Sequence, residues 1–217
     1  MSSATLAEQV ASLIRDRIRG GLYVSGDRLV ELTLSHQLAV SQNTVRDALR
    51  LLEGQGWVVK HARHGVYVRE FRRAEAEELY ALWSAVEGLA LQWMLAGAKQ
   101  RDLASLRRSI QQAHLHSMTG DLQGAETAIF EFHARIAELS ERPQTTELLA
   151  SLRNRVNLLE ITRQMRSPRT QRAQETRLLL YEKLVTLIEK GDGENAAALL
   201  AYLIRDNLTT LLPLLSE

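Results

Sequence analysis

The 217-residue sequence has no cysteine, only 3 prolines, and few aromatic residues, 5% of the total. The missing cysteine excludes a disulfide scaffold, a thiolate zinc site and a cysteine nucleophile together, and it suits a reducing, cytoplasmic setting. Long apolar runs are missing as well. The longest strongly apolar stretch free of Asp, Glu, Lys and Arg is residues 88–98, far below the roughly 20 residues a membrane helix needs. Glu8 precedes any apolar run, so no secretory signal is expected. Common enzyme signatures are also lacking: there is no G-x-S-x-G, no P-loop and no H-E-x-x-H, and no particular Ser-His-Asp set is favoured. The chain is therefore read as a non-enzyme with no membrane partner.

What remains is 45% hydrophobic, ordinary for a globular chain of one large or two modest domains. With 27 basic and 26 acidic side chains, the net charge of +1 argues at first sight against nucleic acid. That average hides two unlike parts. Residues 1–72 carry ten basic and seven acidic side chains, a balance of +3, whereas residues 73–217 carry 17 and 19, a balance of −2. A basic head on an acidic body is a pattern that suits an anionic partner for the head.

The head reads as short helices and a hairpin. Leu6, Val10, Leu13, Ile14 and Ile18 recur at helical spacing and stop at Gly20-Gly21. A turn around Ser25-Gly26-Asp27 precedes a second helix holding Leu32, Leu34 and Leu38. Ser41 then caps a third, whose buried stripe is Val45, Ala48, Leu49 and Leu52. Trp57-Val58-Val59 and Val66-Tyr67-Val68, separated by a loop with Arg63-His64-Gly65, read as a β-hairpin. This order is that of a winged helix-turn-helix. Gln42, Asn43, Thr44, Arg46 and Arg50 fall on or near the outer face of the third helix, as a reader of major-groove base edges requires. On pattern alone, the same residues also suit an ordinary solvated face.

The run from Leu29-Val30-Glu31 through Val40-Ser41-Gln42-Asn43-Thr44-Val45-Arg46-Asp47-Ala48-Leu49 to Gly56-Trp57-Val58 resembles the signature of the GntR family of bacterial transcription regulators. The resemblance extends over residues 5–70, through the wing glycine Gly65. It implies that Arg46 and the position of Gln42 touch operator bases, and that His64-Gly65 forms the wing tip. Gln42 stands where the family usually has Arg, Thr44 where it usually has Pro, and Ser25 where Pro often precedes Gly26. Gln favours adenine where Arg favours guanine, so a different operator is expected. Bases would be read by Gln42, Asn43, Thr44 and Arg46 beside the cap Ser41, and phosphates held by Arg28, Arg50, Lys60 and Arg63.

Residues 73–217 read as helical throughout, with candidate helices over 74–98, 102–118, 121–140, 144–164, 169–190 and 194–212. The fold class expected is mainly α: a winged helix-turn-helix over 1–72, then an antiparallel all-helical bundle of six or seven helices over 73–217. Trp83-Ser84-Ala85-Val86-Glu87, Phe132-His133 and Ile188-Glu189-Lys190-Gly191-Asp192, with Ala196 beyond, resemble the FCD-type effector domain of the FadR subfamily. Many such domains hold a divalent metal on an Asp and three His and seat a small carboxylate on it. Here His133 is the one retained ligand; Ile129 stands in place of the Asp, and Tyr181 and Leu203 in place of the other two His. A single imidazole does not hold such an ion. His114 and His116 are two apart and point in different directions, and Glu126 with His133 supplies only two ligands. No metal or other cofactor is expected, although a carboxylate effector on a rearranged metal site is the competing reading. His133 by itself also suits a hydrogen-bonded core residue.

Trp83 replaces the Arg usual in the subfamily. The effector pocket expected from Trp83, Glu87, Ile129, His133, Tyr181 and Leu203 is thus apolar and aromatic. It would suit a neutral or largely hydrophobic small molecule, for which the metal-free acyl-CoA-responsive branch is a precedent. The partners expected are double-stranded operator DNA, a small-molecule effector and a second copy in a homodimer. A helical scaffold protein is the alternative, disfavoured by the Ser41–Arg50 segment.

Overall fold

Thr5 starts the first helix. In the computed structural model, which describes residues 4–97 and 100–217, its hydroxyl accepts from the Glu8 amide while Glu8 reaches back to the Thr5 amide. This reciprocal cap satisfies two otherwise orphaned donors. Helix α1 (Leu6–Arg19) ends at Gly20 and buries Val10, Ala11, Ile14 and Ile18. Leu6 and Leu13, assigned to the same stripe from their spacing, face solvent instead.

The turn that follows contains a strand the sequence does not announce. β1 (Arg28–Leu29) pairs antiparallel with the second arm of the hairpin. Helix α2 (Glu31–Leu38) buries Leu34 but leaves Leu32 exposed. Ala39 then takes a left-handed conformation (φ 53°) that turns the chain into Ser41. Ser41 caps α3 (Gln42–Gly54), its hydroxyl accepting from the Thr44 amide at 3.1 Å. Val45, Ala48, Leu49 and Leu52 form the buried stripe of α3, which packs against α1 and α2. Strands β2 (Val58–His61) and β3 (Gly65–Val68) complete a sheet of order β1-β3-β2, with His61 opposite Gly65 at the hairpin tip.

The body comprises α4 (Arg73–Gly97), α5 (Gln100–Met118), α6 (Leu122–Leu139), α7 (Pro143–Arg166), α8 (Gln171–Glu189) and α9 (Gly193–Leu211). Residue 98, where the first bundle helix was expected to end, lies outside the described residues. Asp121, Thr170 and Asp192 cap α6, α8 and α9 through their side chains, and Pro143 occupies the first turn of α7, where its missing N–H costs nothing. Head and body meet along α7 and α6. Ser25 and Thr162 share a hydroxyl–hydroxyl bond of 2.9 Å, and Gln123 donates to the Arg19 carbonyl at 3.1 Å.

Leu34 and Leu32 separate burial from composition. Leu34→Ala should lower unfolding stability by about 2–5 kcal/mol. Leu32→Ala should stay within about 0.5 kcal/mol of the parent in urea melts.

Candidate functional site

The burial of one stripe of α3 decides what the opposite face presents. Gln42, Asn43, Arg46 and Arg50 are exposed there, and no acidic residue lies in the first turn. No acid of α3's own first turn offsets the positive end of the helix dipole, which favours an anionic partner. Thr44, expected among the base readers, is half-buried, and its hydroxyl lies 2.8 Å from that of Ser41. Thr44 and Ser41 therefore also serve the cap. Arg50 pairs loosely with Asp47 one turn earlier, at 3.1 Å with both side chains exposed.

The wing is fixed by local bonds. Arg63 (φ 64°) and Gly65 (φ 110°) turn the chain, the His64 amide donates to the His61 carbonyl at 3.0 Å, and the Tyr67 hydroxyl donates to the His64 carbonyl at 3.1 Å. Arg28 crosses beneath Gly65. A Cβ at position 65 would sit 3.0 Å from the Arg28 Nε, a contact the exposed arginine can relieve; it is the positive φ that calls for glycine. Lys60, Arg63 and His64 stay exposed, which leaves the wing tip cationic and open.

The centre of the bundle differs from the sequence expectation in character. Trp83, Glu87, Ile129, His133, Tyr181 and Leu203 are all buried. The polar members are bonded to one another: His133 Nδ1 lies 2.6 Å from Glu87 Oε1, and His133 Nε2 lies 2.9 Å from the Tyr181 hydroxyl. The Trp83 ring meets the imidazole edge-on at a centroid distance of 4.9 Å. The clefts at the wing base, between α1 and α7 and between α5 and α8 are lined by other residues.

These residues do not fit the divalent metal that the FCD resemblance implies. Both nitrogens of His133 are engaged, Ile129 and Leu203 have no donor atom, and burial pushes the Tyr181 hydroxyl up to about 12. A neutral phenol is a weak ligand. Among the described residues, no group of three or more His, Asp or Glu side chains is placed to hold an ion. His114 and His116 turn to separate partners, 2.9 Å from Glu182 and 2.8 Å from Asp121.

Beside Tyr181 lies a charged cluster that the sequence alone does not assemble. Arg177 binds both oxygens of Glu126 (2.6 and 2.8 Å), and Arg169 reaches Glu126 (2.8 Å) and Asn207 (2.7 Å). Arg163 holds Glu160 at 2.7 Å, and the Tyr80 hydroxyl donates to the other Glu160 oxygen at 3.1 Å. Burial lifts the Glu126 pKa, but Arg177 and Arg169 outweigh it and keep the carboxyl below its ordinary value. Arg177 in turn is raised: burial alone would lower it, and the pull of Glu126 prevails. Two buried donors, Gln174 Nε2 and Arg177 Nε, have no acceptor. The signal available was spacing, since Gln174, Arg177 and Tyr181 share one helical stripe, as do Glu126, Ile129 and His133.

Residues 6–68 match the family described as bacterial regulatory proteins, gntR family, and residues 78–206, more than half of the chain, match the FCD domain. The chain belongs to the GntR family. A GntR protein of Rhodococcus sp. RHA1 has the same fold, with TM-score 0.82 and 27% identity, covering 95% of this chain and 97% of that one. The Bacillus subtilis HTH-type transcriptional regulator YdhC is 22% identical over 87% of this chain and 83% of its own length. A Paenarthrobacter nicotinovorans protein named a probable D-xylose utilization operon transcriptional repressor is 26% identical over 65% of this chain; the match spans 62% of that protein. This GntR regulator is a DNA-binding transcription regulator and not an enzyme, with α3 and the wing as its winged helix-turn-helix and the FCD domain as its body.

The Glu126 pKa sets an acid limit. A carboxyl held below 4.5, its ordinary value, adds stability that is complete above that pH and lost as pH falls through the folded value. Glu126→Gln should cost about 3–5 kcal/mol at pH 7, because it leaves buried arginines short of a counter-charge. The gap between variant and parent melts should shrink below pH 4.5.

Proposed function

We propose that this regulator is a ligand-responsive repressor that grips a palindromic operator as a homodimer and works in the cytoplasm. The reading treats residues 1–72 as the DNA-binding unit and 73–217 as the effector and dimerisation unit. The observation that carries it is the outer face of α3: Gln42, Asn43 and Arg46 are exposed at a helix N-terminus with no acid in its first turn, and the cationic wing is on the same small domain. Gln42, Asn43 and Arg46 then read bases, with Thr44 contributing from its half-buried place beside the Ser41 cap. Arg28, Arg50, Lys60, Arg63, His64 and Gly65 meet the backbone.

A second copy is supported by α4. Leu82, Leu89 and Trp93 fall on one face of that helix, with exposures of 49%, 47% and 36%, and covering such a stripe favours self-association. Two-fold pairing would set two α3 helices one or more DNA turns apart. Repression agrees with the name of the Paenarthrobacter relative. Among the described residues, no helix is long and apolar enough to cross a membrane.

For the effector, the bundle centre favours an acid over the neutral molecule expected from sequence. Three arginines (Arg163, Arg169, Arg177) face two glutamates (Glu126, Glu160), and Gln174 Nε2 and Arg177 Nε lack acceptors. A buried donor left unpaired costs about 1–3 kcal/mol, which an incoming carboxylate would recover. An effector shifts operator affinity by no more than its preference between the two head arrangements.

Arg46→Ala should weaken binding to a fragment of the regulator's own upstream DNA by about 1–3 kcal/mol in gel shifts while sparing scrambled DNA; equal loss on both would make Arg46 a phosphate contact. In thermal-shift assays, succinate or benzoate should raise the melting temperature with and without a chelator, and Gln174→Leu should reduce the rise. A response abolished by the chelator would favour a rearranged metal site.

A further inference from the structure

Arg46 is tethered. Its Nη2 donates to Glu31 Oε2 at 2.8 Å, and its Nε lies 3.2 and 3.3 Å from the two Glu31 oxygens. Nη1 is left with a longer contact to Asn43 Oδ1, at 3.4 Å. Glu31 opens α2, fifteen residues away, so the contact joins the two helices of the helix-turn-helix. Both side chains remain partly exposed, 46% for Arg46 and 32% for Glu31.

The geometry has two consequences for a guanidinium at a DNA-facing surface. The edge carrying Nε and one proton of Nη2 is spent on the carboxylate. What is left to offer is Nη1 and the outer proton of Nη2, held on one side and in one plane. Glu31 is also an anion beside the strip where phosphates would approach, so it opposes any collapse of Arg46 onto the backbone. A stability role explains little, because exposed ion pairs contribute weakly to folding. An acidic side chain on a DNA-binding face lowers overall affinity, so its effect on the choice of sequence is the informative one.

We propose that Glu31 is a positioning residue for sequence discrimination: it aims the free edge of Arg46 at a base and withholds that arginine from phosphates. The inference rests on the DNA-reading role of α3. It differs from the ordinary expectation for a lost salt bridge, since removal of Glu31 should strengthen one kind of binding while weakening another. Without the carboxylate, Arg46 becomes one more mobile cation, and such a cation tracks phosphates regardless of sequence.

The test uses the full chain as wild type, Glu31→Ala and Glu31→Gln. Each is titrated across a salt series against the best duplex selected by the wild type and against a scrambled duplex of equal length. Glu31→Ala should bind the scrambled duplex several-fold more tightly than wild type. Its slope of log affinity against log salt there should steepen by about 0.9, the signature of one added phosphate contact. The ratio of selected to scrambled affinity should fall about tenfold. Glu31→Gln retains an acceptor oxygen without the charge; it should share the gain on scrambled DNA and lose less of the ratio. Thermal melts of all three should coincide, and if Glu31→Ala fails to fold, Glu31→Gln carries the same comparison. Equal weakening on both duplexes, or an unchanged ratio and salt slope, would overturn the role of Glu31 alone. A wild type with no preference among duplexes would overturn the DNA-reading function and this inference together.

Discussion

The seating of α3 on α1 and α2 is the contact on which the rest of the head depends. Val45, Ala48, Leu49 and Leu52 occupy the buried stripe, and a helix has only one face left once such a stripe is hidden. Gln42, Asn43 and Arg46 are outward because those four are inward. The Ser41 cap holds the first turn at full helical geometry, so the amide and guanidinium groups project from a rigid end. The left-handed Ala39 aims that end away from α2. Glu31 adds a second level of control, fixing an arginine on the reading helix through a neighbour that comes from a different element.

The body carries a buried ionic network between α6, α7 and α8. Burying Glu126 and Glu160 without cations would be prohibitive, and Arg163, Arg169 and Arg177 supply them from α7, the α7–α8 connection and α8. Such a network stabilises only as a whole. Removing one member strands the others in a low-dielectric interior. His133 lies beside the same region, bonded on both sides and meeting Trp83 edge-on. It links the Glu87 and Tyr181 helices. Both ring nitrogens of the buried His133 have partners within the bundle.

Much of this was legible in the order of residues, for a physical reason. Amphipathic period, a serine cap and paired glycines are local signals, and α1, α3, the hairpin and the bundle helices follow them to within a few residues. Local signals fail where the outcome is decided at a distance. Leu6, Leu13 and Leu32 share the spacing of buried neighbours, yet no partner surface reaches them. β1 has two residues and exists only because β3 offers an edge to pair with. The Arg177–Glu126 contact spans 51 positions, and in sequence each member looks like an ordinary solvated charge. Trp83, Ile129, Tyr181 and Leu203, expected to line a pocket, are buried in the bundle, and the charged company beside them has no local signal.

The central claim is that the exposed end of α3 chooses a DNA sequence on behalf of a two-fold pair of heads. Selection from a pool of random duplexes by the full chain, repeated with Gln42→Arg, tests it most directly. The wild type should enrich an inverted repeat, and the substitution should exchange one symmetric adenine for guanine while leaving the other positions unchanged. Recovery of no common sequence, or of the same repeat from both proteins, would contradict the account.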